Sequence, residues 1–250
     1  MRSPTLAAAL AALSMLVSSC GTAPGEEQSL VDRATLTVQD MSTQTVSDGP
    51  ISLLRKARAA MICPRVFKAG FFFGGEGGQC VLLARAGNGT WSYPAFYTIG
   101  SGSFGLQIGI QDAQVFLLIM TEKGLNAVMD SQVKLGADAS LAIATIGAGV
   151  NGSTTTAVGA DIVAFSSTRG LYGGISLAGS LMSTQTEANQ RYYGQPMAAR
   201  QVVVAMQASN RGADPLREVL TRNGGSGPAP EQPRQSAQPP SGYAPAYPPQ

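Results

Sequence analysis

Leu30, Ala34, Val38 and Met41 recur at spacings of four, four and three, which lays one apolar stripe along the chain and predicts a helix over 26–46. Glu26 and Glu27 suit the positive end of its dipole. Asp48-Gly49-Pro50 breaks the pattern and offers a cap for a second helix from 51 to about 62. There Ile51, Leu54, Ala57 and Met61 share one face, and Ser52, Lys56 and Ala59 point away. Pro64 closes it.

From Val66 the period shortens to that of strands. Phe71-Phe72-Phe73 runs into Gly74-Gly75-Glu76-Gly77-Gly78, residues 80–85 read as the return strand, and Asn88-Gly89 signals a hairpin before a strand starting at Trp91. Further strands are expected over 95–99, 104–110, 114–120, 133–144, 161–166 and 171–182. In the second of these, Leu106, Ile108 and Ile110 alternate with Gln107, Gly109 and Gln111. Thr121-Glu122-Lys123 opens a short helix to about Asp130, a helix over 197–207 follows Pro196, and 215–220 forms another short turn. Of the 30 glycines, 21 lie between Gly70 and Gly179, where they suit the turns and bulges of a curved sheet. The expected fold is α+β: a β-rich, mainly antiparallel curved sheet or barrel-like core with N-terminal helices and a C-terminal helix.

The two ends differ from this middle. Arg2 precedes an apolar run over 6–17 that is short for a bilayer span and has the shape of a signal-peptide core. The run ends in Val17-Ser18-Ser19-Cys20, similar to a bacterial lipobox: small residues admit the peptidase, and the cysteine thiol accepts a diacylglycerol. An ordinary secretory signal with an incidental cysteine is the alternative. Gly21 stands where retention in the inner membrane usually requires Asp, so similarity to lipoprotein sorting implies an exported protein, lipid-anchored to the outer membrane and facing the periplasm. Residues 223–250 hold 8 of the 15 prolines and almost no aliphatic side chains, too little apolar surface to offset chain entropy. The expected organisation is a signal peptide over 1–19, a lipidated N-terminus and linker over 20–25, one domain over 26–222 and a disordered tail over 223–250. A protein partner could use the proline-rich tail, which otherwise reads as a solvated spacer.

The chain has 17 basic and 15 acidic residues and no histidine. Near-neutral charge gives no global field for nucleic acid. The absence of histidine excludes Ser-His-Asp and Cys-His catalysis, a histidine general base and His-ligated zinc. Beyond Cys20 the only thiols are Cys63 and Cys80, which lack CxxC spacing and so carry no four-cysteine metal site. Export permits a Cys63–Cys80 disulfide, although a simple hairpin centred on 71–78 would not put the two directly opposite.

Gly100-Ser101-Gly102-Ser103-Phe104-Gly105 is a literal G-x-G-x-x-G, but a dinucleotide site needs a helix next, and a strand pattern follows. The carboxylates are dispersed without the spacing of an acid–base pair. No catalytic residue, metal or cofactor is expected. The positive signal is basic: Arg55, Lys56, Arg58, Arg65 and Lys68, with no acidic residue between Pro50 and Gly74. Beside them lie the amphipathic 51–62 segment, Phe67 and the Phe71–Phe73 cluster. Cations next to apolar side chains suit an interface where phosphates take the charge and acyl chains take the apolar side. A solvated helix face plus buried strand aromatics explains the same residues.

Several ordered fragments carry a family resemblance: KAGFFFGGEGG from Lys68, SYPAFYTIGSGSFGLQIG from Ser92, MTEKGL from Met120, KLGADAS from Lys134, ADIVAFSSTRGLYGGISLAGSLM from Ala160 and NQRYYG from Asn189. In this order they resemble the SYLF family, a lipid-binding module of bacteria and eukaryotes. The resemblance implies phosphoinositide binding through basic residues and an amphipathic N-terminal segment in eukaryotic members, and actin binding in some fungal ones. By position it makes Arg55, Lys56, Arg58, Arg65 and Lys68 the headgroup candidates. Phosphoinositides are scarce in bacteria and actin is absent outside the cell, so only binding to anionic membrane phospholipid transfers. The expectation is a non-enzymatic, membrane-anchored phospholipid-binding lipoprotein. The competing class is an envelope module that docks a protein partner.

Overall fold

In the computed structural model, which describes residues 25–43, 49–70, 72–104, 109–145, 159–170 and 177–225, the strands join one curled sheet. The expected signal segment with Cys20, Phe71, residues 105–108 and the tail from 226 lie outside the described residues. The strands are β1 (Ala59–Gly70), β2 (Phe73–Ala84), β3 (Ala95–Phe104), β4 (Gly109–Ile119), β5 (Gln132–Lys134), β6 (Leu141–Thr145), β7 (Ile162–Gly170) and β8 (Leu181–Thr184). Their order is β5-β8-β3-β2-β1-β4-β7-β6, antiparallel except for the parallel pair β6–β7. The helices are α1 (Glu26–Thr43), α2 (Pro50–Leu54), α3 (Glu122–Met129), α4 (Thr186–Tyr193), α5 (Ala199–Val203) and α6 (Asp214–Gly224). This is the α+β half-barrel that the pattern predicts, with helices at both ends of the chain.

Side-chain alternation divides the core into two layers. Met61, Cys63, Leu82, Tyr97, Val115 and Leu117 fill one side, called the inner side, and cluster with Val128 of α3 and Val202 of α5. Ile62, Val81, Leu83, Phe96, Phe116 and Leu118 face outward and are covered by Leu30, Ala34 and Val38 of α1 and by Leu216 and Leu220 of α6. Strands buried on both sides read as continuous apolar runs rather than alternating ones.

That property accounts for the main correction. The expected 51–62 helix ends at Leu54, and Ala59 to Ile62 already belong to β1, paired with β2 on one side and β4 on the other. Ala59, Met61 and Ile62 are fully buried, so both faces are apolar and a helical spacing could be drawn through them. Pro64 lies in a bulge, where the register with both neighbours slips between Ile62 or Cys63 and Arg65 or Val66. Lacking an N–H, proline is tolerated there. The bulge also brings Cys63 beside Cys80, and the two form a disulfide, so the extra residue supplies the alignment that a simple hairpin would lack.

Other boundaries shift for local reasons. The strands expected at 95–99 and 104–110 are replaced by β3, which runs on through Phe104, and β4, which starts at Gly109. The glycine motif from Gly100 to Phe104 is thus β3 backbone, and the next described element is strand β4. The 133–144 strand is split into β5 and β6 by a turn in which Gly136 has φ 83°. Of the strand expected over 171–182, residues 171–176 lie outside the description and β8 starts only at Leu181. The 197–207 helix shortens to α5. Asn223 and Gly224, expected in the tail, close α6. Helix α4 has no counterpart in the sequence reading, because Thr186–Tyr193 is mostly polar and carries no apolar stripe. Thr121 caps α3 as expected, accepting from Gly124 N at 3.0 Å.

Candidate functional site

Helix α1 crosses the outer face of the sheet at the level of the bulge. Gln79 Nε2 of β2 donates to Glu26 at 3.0 Å near the start of the helix, and Gln114 Nε2 of β4 reaches Asp40 at 3.5 Å near its end. On one side of this crossbar the sheet is covered by helices. On the other, among the described residues, no helix packs on the outer face of the strand ends 67–70, 73–77 and 109–111. There Phe67 is 39 % exposed, Phe72 57 %, Phe73 74 % and Ile110 64 %. Alternation through the paired register puts Arg65, Phe67 and Ala69 of β1 on the outer face with Gln79, Gly77, Gly75 and Phe73 of β2, and with Asp112 and Ile110 of β4.

At the step between crossbar and bare sheet lies a groove of about 400 Å³, lined by Leu30, Arg33, Pro64, Arg65, Phe67 and Gly77 to Gln79. A second depression of about 240 Å³ adjoins it, lined by Arg33, Pro64, Arg65, Asp112, Ala113, Gln114 and Ser167. Arg33 and Arg65 thus flank both hollows from two different elements. Arg65 Nε donates to Asp112 at 2.6 Å, with both side chains largely exposed, and its guanidinium lies 5.6 Å from the centre of the Phe67 ring. An exposed ion pair of this kind contributes little, which leaves the guanidinium able to exchange its partner for a phosphate oxygen. Gly78 is required by close approach: a Cβ there would collide with the Arg65 carbonyl oxygen.

The five expected headgroup residues do not share one place. Arg55 and Lys56 are exposed just after α2, at the opposite end of β1 from the bare tip. Arg58, beside them, pairs with Glu122 at 3.0 Å and its side chain is 13 % exposed. Ten residues of strand separate Arg58 from Lys68, roughly 33 Å. Lys68 faces the inner side, in register with Glu76 and Gln111. Only Arg65 of the five lines the groove. Arg33 was not singled out by sequence, since it sits isolated on an otherwise unremarkable helix. The one available signal was its place beside the Leu30–Ala34 stripe.

The groups with perturbed pKa values are structural. Burial opposes the Asp161 charge, yet hydrogen bonds from Thr121 (2.6 Å), the Ser140 backbone (3.0 Å) and hydroxyl (2.8 Å) and Lys123 (3.3 Å) hold its pKa at about 2. Burial lowers that of Arg85, which donates to the carbonyls of Leu54, Arg55 and Gly224 and so closes the C-terminal ends of α2 and α6. Burial raises those of Tyr97, Tyr192 and Tyr193. Among the described residues no group of three or more His, Cys, Asp or Glu is placed to hold a metal ion, and no helix is long and apolar enough to cross a membrane.

Residues 100–223 match the family model Ysc84, described as "Las17-binding protein actin regulator". The chain belongs to the SYLF family. Similar proteins include an SH3 domain-containing protein, PJ696.02, of Schizosaccharomyces pombe, 32% identical over 212 residues, covering 83% of this chain and 47% of that protein. LAS seventeen-binding protein 3 of Saccharomyces cerevisiae is 28% identical over 174 residues, 68% of this chain and 38% of its own length. Human SH3 domain-containing YSC84-like protein 1 is 27% identical over 172 residues, 68% of this chain and 50% of its own length. The chain spans half or less of the length of these relatives. No solved structure matches it.

Several of the SYLF-like fragments hold the fold together. Asn189, fully buried, accepts from Phe96 N at 2.9 Å and donates to Met197 O at 3.2 Å. Arg191 pairs with Glu27 at 2.6 Å, and the Tyr192 hydroxyl donates to Gln28 at 3.1 Å. The NQRYYG motif is therefore a clasp between α4, β3 and α1. Tyr93 lies 4.2 Å beneath the Arg217 guanidinium, and the Tyr97 hydroxyl donates to Val128 O at 3.1 Å. With those residues absorbed by packing, the groove and the bare sheet beside it form an open surface that joins two arginines to exposed apolar side chains; a separate hollow of about 460 Å³ lies between the Asn88–Trp91 turn and α6.

Proposed function

We propose that this SYLF-family protein is a non-enzymatic binder of anionic phospholipid. The observation that carries the reading is the pairing of Arg33 and Arg65 across one groove with Phe67 as its apolar wall. Guanidinium groups offer forked donors to phosphate oxygens, and the neighbouring apolar wall suits the glycerol and upper acyl region. Arg55, Lys56 and Arg58, before the far end of β1, take no part in this site, and Lys68 contributes from the other face only to the local field. The lipobox at Cys20 supports an exported, acylated protein on the outer membrane facing the periplasm.

Flotation of the full chain carrying Cys20→Ser, with vesicles of phosphatidylethanolamine and phosphatidylglycerol against neutral phosphatidylcholine, tests the reading. Anionic vesicles should recover more protein, Arg33→Gln with Arg65→Gln should remove the difference, and Arg55→Gln with Lys56→Gln should leave it. Equal recovery with both vesicle types sinks the proposal. Intact mass of the protein extracted from membranes tests the anchor, since an unmodified Cys20 thiol contradicts it.

The relatives named for Las17 binding favour a second reading, in which the same face docks a protein. Stoichiometric, vesicle-independent capture of a purified envelope protein, lost with the arginine pair, would replace the lipid reading.

A further inference from the structure

We infer that the aromatic end of the β1–β2 hairpin, with Ile110 of β4 beside it, is an insertion element that enters the acyl region of the bilayer; the inference rests on the phospholipid reading above. Phe72, Phe73 and Ile110 are each more than half exposed. The register brings them together: Gly70 pairs with both Gly74 and Gly109, and Ala69 with Ile110. The backbone behind them is hydrogen-bonded within the sheet, so burying these strand ends in an apolar medium strands few amides.

Two observations favour a membrane over a protein as the occupant. Three such side chains can bury on the order of 400 Å², about half of the ~800 Å² that each partner of a stable protein interface buries. A bilayer sets no such minimum when a second attachment is present, because weak anchors combine. Arg33 and Arg65 at the adjoining groove supply one such attachment, to anionic headgroups, and the chain offers a place for a further one. Glu26 is fixed at Gln79, and six residues of chain, as from Cys20 to Glu26, can span at most ~21 Å. From Gln79, β2 runs six residues to Phe73, ~20 Å. An acyl chain on Cys20 and the aromatic tip can therefore reach the same leaflet, with Arg33 and Arg65 between them and nearer the headgroups.

The test uses the full chain with Cys20→Ser and phosphatidylethanolamine–phosphatidylglycerol vesicles. Phe72→Ser, Phe73→Ser and Ile110→Ser together should lower the vesicle-bound fraction at least tenfold while the denaturation midpoint stays unchanged. An environment-sensitive fluorophore on Phe73→Cys should shift to the blue and be quenched by bromine-labelled acyl chains, whereas the same label on Asn88→Cys, in the exposed turn at the far end of β2, should not. If the tip variant floats like its parent and the label at 73 stays in water, while the Arg33 and Arg65 changes still abolish binding, the insertion inference is wrong and the phospholipid reading stands. If the parent ignores the vesicles, both are wrong. Self-association of the parent that the tip changes abolish, without any vesicle effect, also overturns insertion.

Discussion

The strands β1, β2 and β4 each cross two environments. On one side of α1 their residues are buried from both faces: Met61, Ile62, Leu82, Leu83, Phe116 and Leu117 are 0 % exposed or nearly so. Beyond α1 β2 turns glycine-rich, and Phe67, Phe73 and Ile110 of the three strands are exposed. Hydrogen-bonded pairing continues through both halves, so secondary structure does not distinguish them. What differs is the layer above the sheet. Stability is concentrated in the covered half, and the bare half is left with exposed apolar surface.

The comparison can be broken most directly by truncation. Leu117→Ala in the covered half should destabilise the fold by about 3–4 kcal/mol, whereas Ile110→Ala should change it by less than about 0.5 kcal/mol. Denaturant midpoints of the two variants check this, and equal losses would mean that the projecting ends are part of the core.

At the boundary, the Cys63–Cys80 bridge closes a separation of 17 residues, and reducing it should cost up to about 3 kcal/mol on the loop-entropy account. Unfolding curves with and without reductant measure the loss.

Next in size is Asp161, in the covered half, held at about 2 against an ordinary 3.8. In that window the unfolded chain binds more protons than the folded one. Its stabilisation, about 2 kcal/mol, is therefore complete above the ordinary value and is lost as pH falls towards 2. Asp161→Asn should flatten the acid limb of a stability–pH profile, and an unchanged limb would remove Asp161 from the account.

The smallest effects sharpen the comparison within the glycines. Gly78→Ala, blocked by the Arg65 carbonyl, should destabilise by ~1–3 kcal/mol as an overpacked site does. Gly102→Ala, with open space around it, should be neutral or stabilising by a few tenths of a kcal/mol. Thermal melts of the pair separate a glycine the bulge requires from one that merely sits in a strand.

Much of this was legible in sequence because local chemistry wrote it there. Leu30, Ala34, Val38 and Met41 marked α1, Thr121 marked the cap of α3, and Asn88-Gly89 marked the turn after β2, where Gly89 has φ 86°. The start of β1 was not legible. Its neighbours β2 and β4 come from later in the chain, and burial on both faces erases the period of two. Helix α4 was hidden for the opposite reason, since its helical state depends on Asn189 and Arg191 reaching distant partners rather than on an apolar stripe. The site followed the same logic: Arg65 was found because cations cluster near it in sequence, and Arg33 was missed because only α1's passage over the bulge brings the two together.

By itself the sequence determined the α+β class, the absence of histidine chemistry and the family, since composition, turn residues and ordered motifs are local properties of the chain. Tertiary structure decided which cations share a surface. Strand β1 sets Lys68 roughly 33 Å from Arg58, the residue just before it, and alternation sends Arg65 and Lys68 to opposite faces. Nearness in sequence becomes nearness in space only when the backbone turns back, and β1 stays extended and paired with the same two neighbours on both sides of its bulge.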